Sequence, residues 1–110
     1  MTEQPKDGGA AWVDATSYSR DMKERIPNAW RFTSNDVAVW VGSGHLRQPG
    51  QWAMSCLVLG IEAKAIGPLT MTPQEARNKA AAIVSKALRA RADEFVSAAD
   101  AMIAASEATQ

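Results

Sequence analysis

The hydrophobic positions of this chain follow two different periods, one in the middle of the sequence and one at its end. Between residues 37 and 59, two runs rich in apolar, β-branched and aromatic residues flank a Pro49-Gly50 pair. Such runs favour half-buried strands, and a Pro-Gly pair fits the two central positions of a type II turn. The stretch therefore predicts an antiparallel hairpin around which the rest of the fold is organised.

The register of this hairpin follows from the position of the turn. If the turn is centred on the Pro-Gly pair, Val41 lies opposite Val58 and Arg47 lies opposite Trp52. Alternating side chains then give one apolar face. That face comprises Val37, Val39, Val41, His45, Trp52, Met54, Cys56 and Val58. The other face carries Trp40, Leu46, Leu57 and Leu59. The alternative is an open loop from Gly42 to Gln51, because a Gly-Ser-Gly sequence weakens a strand.

Shorter signals on either side extend the predicted sheet to three or four antiparallel strands. Residues 30–33, with the sequence Trp-Arg-Phe-Thr, have the composition of a first strand. Residues 61–66 alternate loosely and predict a further strand, which ends at Gly67-Pro68.

The N-terminal segment gives less regular signals. Residues 1–10 are polar and contain proline and a glycine pair, so we expect a flexible tail ahead of a single domain at 11–110. Thr16 or Ser17 has the chemistry to cap a short helix that runs through Arg25.

The second period begins at Thr72-Pro73-Gln74-Glu75, which is a capping box with proline at the first helical position. Glycine and proline are then absent through Gln110, so the stretch would measure roughly 57 Å at 1.5 Å per residue if it formed one helix rather than two. One helical face carries Val84, Leu88, Phe95 and Met102. Arg91 and Ala98 interrupt the heptad between them, so the pattern does not predict a coiled coil.

This helix is too long for the predicted sheet. A strand of ordinary length spans only about 17–20 Å, so three or four strands cannot cover the whole helix. Phe95, Met102 and Ile103 must therefore be buried elsewhere if the helix is continuous. They could pack against the N-terminal helix, a second copy of the chain or another protein. The predicted architecture is an α+β fold, with a long C-terminal helix on one face of an antiparallel sheet.

Composition narrows the choice of partner. The chain has 110 residues, with 12 basic and 12 acidic side chains, and its formal net charge of zero disfavours a strongly electrostatic partner. A single cysteine excludes an intrachain disulfide and suits a reducing compartment. No apolar run reaches the roughly 20 residues of a membrane span. We therefore expect a cytoplasmic protein with no membrane partner.

The candidate catalytic residues do not form a recognisable constellation. Ser43 and His45 are close in sequence, but no nucleophile-elbow motif surrounds them and no neighbouring acid orients the imidazole. Cys56 lies within a predicted strand, where a free cysteine acts as a small apolar residue. One histidine and one cysteine cannot form the usual zinc site within one chain. We expect no cofactor and no metal, and a Ser/His hydrolase is the least favoured interpretation.

Candidate binding residues are more numerous. Trp and Arg are enriched at protein interfaces, so Trp52 beside Arg47 at the hairpin tip is a candidate anchor. Phe95 and Met102 on the helix complete the predicted partner-binding set. Three basic residues of the helix give an alternative, nucleic-acid-binding surface. They are Lys79, Lys86 and Arg89.

Residues 52–83 resemble the HicB-type antitoxin domain. The shared pattern is a strand, Leu59-Gly60, a second strand, Gly67, and a Thr72-x-x-Glu75-Ala76 turn into a helix. The resemblance covers less than a third of the chain. Position 74 is glutamine where the family usually has glutamate. The long C-terminal helix stands in place of the family's DNA-binding segment. The resemblance implies a partly open sheet, backed by a helix, that binds a partner protein.

Taken together, these patterns favour a non-catalytic interaction protein that is not an enzyme. The over-long helix and the four tryptophans are the positive signals for this hypothesis. Its expected role is that of an inhibitor or antitoxin-like accessory protein of a phage or mobile element. Its partner would be another protein or a second copy of the chain, held through the C-terminal helix.

Overall fold

A computed structural model of the chain describes residues 11–18 and 26–108. These residues form a five-stranded antiparallel sheet and one long α-helix, which confirms the predicted α+β class. The strands lie in the sheet in chain order. They are β1 (Trp12–Asp14), β2 (Ala29–Ser34), β3 (Val37–Gly42), β4 (Gln51–Cys56) and β5 (Ile61–Pro68). A 3-10 turn (Leu57–Leu59) joins β4 to β5, and the helix α1 spans Pro73–Ala108.

The predicted count of three or four strands was wrong, because it left out the edge strand β1. This strand has only three residues, too few to show a period, and it is defined by its pairing with β2. Trp12 lies opposite Phe32 there, with ring centroids 5.7 Å apart. The predicted tail at 1–10 and most of the predicted helix through Arg25 lie outside the described residues.

The hairpin of β3 and β4 forms, but with a different register from the predicted one. Val41 lies opposite Met54 rather than Val58, and residues 43–50 form a loop, as the alternative interpretation allowed. Trp52 faces Gly67 of β5 rather than Arg47. Gly50, with φ of 75°, has the left-handed conformation that a type II turn requires at its third residue.

The two faces of the hairpin survive this change because the register differs by an even number of residues. Five residues of the predicted apolar face are at most 4% exposed and belong to the core. They are Val39, Val41, Trp52, Met54 and Cys56. His45 lies in the loop instead, and Val58 lies in the 3-10 turn with 52% of its surface exposed.

The start of α1 is fixed to the sheet by its cap and by a neighbouring aromatic group. The predicted capping box is confirmed: Thr72 N–H donates to Glu75 Oε1 at 2.9 Å, and Glu75 N–H donates to Thr72 Oγ1 at 3.1 Å. The Arg77 guanidinium lies 4.6 Å from the centre of the Trp30 ring on β2. The cap therefore begins the helix, and the Arg77–Trp30 contact joins its first turns to the sheet.

A ridge of small side chains packs α1 onto the sheet. Ala76, Ala80 and Val84, spaced by four residues, are at most 5% exposed and belong to the same cluster as Met54 and Cys56. Alanine keeps the helix axis close to the strands, so strand side chains fill the space between the layers. The core therefore lies under the first half of α1.

The capping box yields a stability prediction. We expect Thr72→Ala to lower the free energy of unfolding by about 1 kcal/mol, because the Glu75 N–H loses its acceptor. Chemical denaturation measures this difference. The control is Thr70→Ala, an exposed threonine just before the cap, which should change stability by less than about 0.5 kcal/mol. Equal effects of the two substitutions would contradict a capping role.

The same cap predicts a pH dependence. The backbone N–H of Thr72, and then its hydroxyl, hold the pKa of Glu75 below the ordinary value of 4.5. The contribution of the ionised carboxylate is therefore complete above pH 4.5 and is lost as the pH falls through the lower folded-state value. The stability difference between wild type and Glu75→Gln should shrink on acidification, as followed by denaturation at a series of pH values. A difference that grows towards acid would contradict this.

Candidate interaction surface

The second half of α1 extends beyond the sheet. Leu88 is the last helical residue that packs against the core, whereas every residue from 91 to 108 is exposed. Residues 89–108 therefore project as a rod of about 30 Å at 1.5 Å per residue. The described residues measure 71 Å along their longest axis and only 36 and 23 Å along the others.

Large apolar side chains are gathered on one side of this rod. Phe95, Val96, Met102 and Ile103 are 61–68% exposed. At 100° per residue they fall within an arc of about 120°, and Ala92 and Ala99 lie between them. We call this set the distal stripe. Its members are Ala92, Phe95, Val96, Ala99, Met102 and Ile103.

The distal stripe continues the packed face of the helix. Val84, Leu88, Ala92 and Val96 succeed one another at intervals of four residues, so a single ridge passes from the core into solvent. An isolated exposed leucine or valine is ordinary, but a contiguous apolar patch on a protein surface marks an interaction site. The stripe therefore resembles one side of a protein–protein interface.

The exposed rod can remain helical without covering because of its composition. Eight of the twenty residues from 89 to 108 are alanine, the residue with the highest helix propensity. The rod also extends an already nucleated helix, so it avoids the cost of forming a first turn. Its apolar side chains are thus presented in a fixed geometry.

A cleft of about 530 Å³ lies where α1 leaves the sheet. Trp12, Phe32 and Val37 line it from the strands, and Leu88 and Arg89 line it from the helix. Arg89 Nε donates to Ser85 Oγ at 3.4 Å on this rim. Since Leu88 and Ala92 are one turn apart, the cleft adjoins the beginning of the distal stripe.

The structure separates the four residues that the sequence suggested for partner binding. Phe95 and Met102 both lie on the distal stripe, where Val96 and Ala99 join them. Arg47 is exposed in the β3–β4 loop and forms an ion pair with Glu62 at 3.6 Å. Sequence reasoning missed Val96, because it followed apolar residues seven positions apart and Val96 directly follows Phe95.

Trp52 requires a correction, because it is not an exposed side chain at a hairpin tip. It is 4% exposed, and its indole N–H donates to the Met71 carbonyl at 3.0 Å. Its ring lies 6.1 Å from that of Trp30. The four-residue difference in register moves it from the predicted tip into the core, so we leave it out of the candidate surface.

The basic residues of α1 do not form an uninterrupted cationic surface. Lys79, Lys86 and Arg89 are all exposed and lie on one side of the helix. Asp93 and Asp100 follow on the same side at the same periodicity. The carboxylates would repel a phosphate backbone that followed the helix.

His45 and Cys56, which the sequence analysis considered for catalysis, make contacts within the fold. His45 Nδ1 accepts the Arg47 backbone N–H at 3.0 Å, and its ring lies edge-on to Trp40 at 5.6 Å. The free thiol of Cys56 is 1% exposed within the core. Within residues 11–18 and 26–108, no three or more His, Cys, Asp or Glu side chains are grouped so as to hold a metal ion.

Comparison of the chain with models of known families, with characterised proteins and with solved structures finds no match. In the part of the chain that the structure describes, no helix combines the length and the apolar character needed to cross a membrane.

A valine-to-alanine substitution should affect the free energy of unfolding differently in the packed and the projecting half of α1. Val84→Ala should lower the free energy of unfolding by about 2 kcal/mol, because Val84 is 5% exposed and its loss leaves a cavity. Val96→Ala should change it by less than about 0.5 kcal/mol in dilute solution, because Val96 is 61% exposed. Denaturation of dilute samples measures both values. Equal losses would show that the projecting half packs against its own chain.

Proposed function

We propose that this protein is a non-catalytic interaction module that binds another protein chain through the distal stripe. The observation that carries the proposal is the exposure of Phe95, Val96, Met102 and Ile103 on one side of a helix that extends past its own sheet. Burial of a side chain of this size in an interface contributes about 1.5–3 kcal/mol. Four such groups on a preformed helix supply a strong driving force for association.

The mode of binding follows from the shape of the surface. An amphipathic helix presents its apolar face either to a groove or to another helix, with anchors at spacings of three and four residues. The distal stripe has this spacing from Ala92 to Ile103. The sheet under the first half of α1 serves as the platform that holds the helix in place.

The biological role that we propose is that of an inhibitor or antitoxin-like accessory protein of a phage or mobile element. The HicB-like pattern of residues 52–83 supports this role, as does a sheet whose apolar side chains pack in the core under the helix. Cytoplasmic location stays a prediction from the single cysteine. Nucleic-acid binding through Lys79, Lys86 and Arg89 is the alternative, and a steep loss of affinity with salt would favour it.

The proposal is tested by adding a charge to the stripe. We expect Ala99→Glu to remove protein partners that a tagged full-length chain retains from its native host, because the carboxylate would be buried in the interface. Quantitative mass spectrometry of the retained proteins measures this loss.

The matched control is Ala101→Glu. Ala101 is two residues away on the same exposed helix, but its side chain points about 200° around the axis from that of Ala99. Both variants carry the same new charge at nearly the same distance from the helix end. The proposal predicts that Ala101→Glu retains the partner, whereas loss or retention in both variants alike would contradict binding through the stripe.

A further inference from the structure

We infer that the distal stripe binds a second copy of this chain, packed antiparallel, with the two-fold axis beside Ala99. This inference rests on the proposed function and names the partner. It is drawn from the symmetry of the apolar side chains, from the charges that flank them and from the length of the projecting rod.

The large apolar side chains are arranged symmetrically about Ala99. Phe95 and Ile103 each lie four residues from it, and Val96 and Met102 each lie three residues from it. In an antiparallel pair centred there, Phe95 is level with the partner's Ile103 and packs beside the partner's Met102. Val96 is level with the partner's Met102 and packs beside the partner's Ile103. Alanine at the centre leaves room for the two helix axes to approach closely. The same surface thus complements itself, as a two-fold interface requires.

One flanking pair of opposite charges also matches in the same arrangement, whereas Asp100 on that side comes near the partner's Asp100. Arg89 and Glu107 are 18 residues apart, which is five full turns at 3.6 residues per turn, so they project from the same side of α1. Arg89 lies ten residues before Ala99 and Glu107 lies eight after it. In an antiparallel pair the matching sides coincide, so Arg89 comes beside the partner's Glu107.

The end of α1 also lacks a counter-charge of its own. The last turn carries Glu107 and contains no basic residue, although the carbonyl end of a helix favours cations. The partner's Arg89 would supply the missing positive charge at both helix ends of the pair. In a parallel pair the partner's Arg89 would instead lie about five turns away from Glu107 along the helix.

The length of the rod fits the same axis. The projecting part begins after Leu88 and α1 ends at Ala108, so its midpoint lies between Ala98 and Ala99. The partner's helix end is then level with Ala90, beyond the last residue that packs against the core. The two sheets lie at opposite ends of the pair, whereas a parallel pair would bring both sheets to the same end.

The first test is the mass of the full-length protein in solution. Sedimentation equilibrium should give twice the 11.8 kDa chain mass, with dissociation on dilution. Ala99→Glu should weaken the dimer by about tenfold or more, because a carboxylate would be buried against its own copy. Ala101→Glu should leave the dissociation constant within about twofold. Circular dichroism of both variants checks that the helix remains folded.

The second test establishes the direction of the two helices by cysteine cross-linking under mild oxidation. Ala99→Cys should cross-link to its own copy. Ala92→Cys and Ser106→Cys should each fail to do so alone but should cross-link when mixed, since both lie seven residues from Ala99. Wild type controls for Cys56, whose thiol is buried.

The outcomes separate this inference from the function on which it rests. A dimer with the mixed 92–106 cross-link supports it. A monomer at every accessible concentration overturns it, as does a dimer in which Ala92→Cys and Ser106→Cys each cross-link to themselves. If the chain is monomeric and Ala99→Glu alone removes a different protein from the captured set, self-association fails while the proposed function stands. If Ala99→Glu and Ala101→Glu behave alike in both assays, both fail.

Discussion

The packing of three small residues of α1 on the central strands is the interaction on which the rest of this structure depends. Ala76, Ala80 and Val84 form a ridge that lies on the apolar face carrying Val41 and Met54. Because the ridge is narrow and its side chains are short, the helix lies close to the sheet, and larger strand side chains fill the core. The direction of α1, and with it the position of every residue beyond Leu88, follows from this contact.

The size difference between the two layers gives the contact its functional consequence. Strands of six to eight residues cover only the first turns of a 36-residue helix. A fold that needed the helix only as a cover for the sheet would gain nothing from residues 92–103, whose apolar side chains stand in water. Their exposure is explained if, as we propose, a second surface covers them, and the free energy of that half of α1 would then be linked to association rather than to folding.

Local chemistry predicted part of this fold well, and long-range pairing limited the rest. The capping box at Thr72 is decided by neighbours in sequence, so the sequence was sufficient for it. Whether the residues after it form one helix or two was left open by the sequence, and the structure shows one. The five core residues of the hairpin's apolar face were also predicted correctly, because they depend on alternation within each strand, although His45 and Val58 lie outside that face. Its register was not, since the length of the loop after Gly42 is set by how β3 and β4 pair and not by the Pro-Gly turn.

The same limit explains which parts of the candidate surface were predicted. The periodicity of α1 identified Phe95 and Met102, whose position on the stripe depends only on 3.6 residues per turn. It could not place Trp52, whose burial depends on the neighbouring strand and on the Met71 carbonyl. The cleft beside Leu88 was also beyond reach, because Trp12 contributes to it through an edge strand of only three residues.

One helical ridge therefore serves two purposes along its length. The series that begins at Ala76 and Ala80 continues through Val84 and Leu88 to Ala92 and Val96, and each step of four residues turns it about 40° around the axis. Under the sheet this ridge excludes water within the chain, and beyond it the same ridge remains apolar without a neighbour. A kink between the two halves would keep the core but would turn the distal stripe away from the line of the helix. Because glycine and proline are absent from Gln74 to Gln110, neither residue kinks the rod, and the position of the proposed interface follows from the same packing that stabilises the fold.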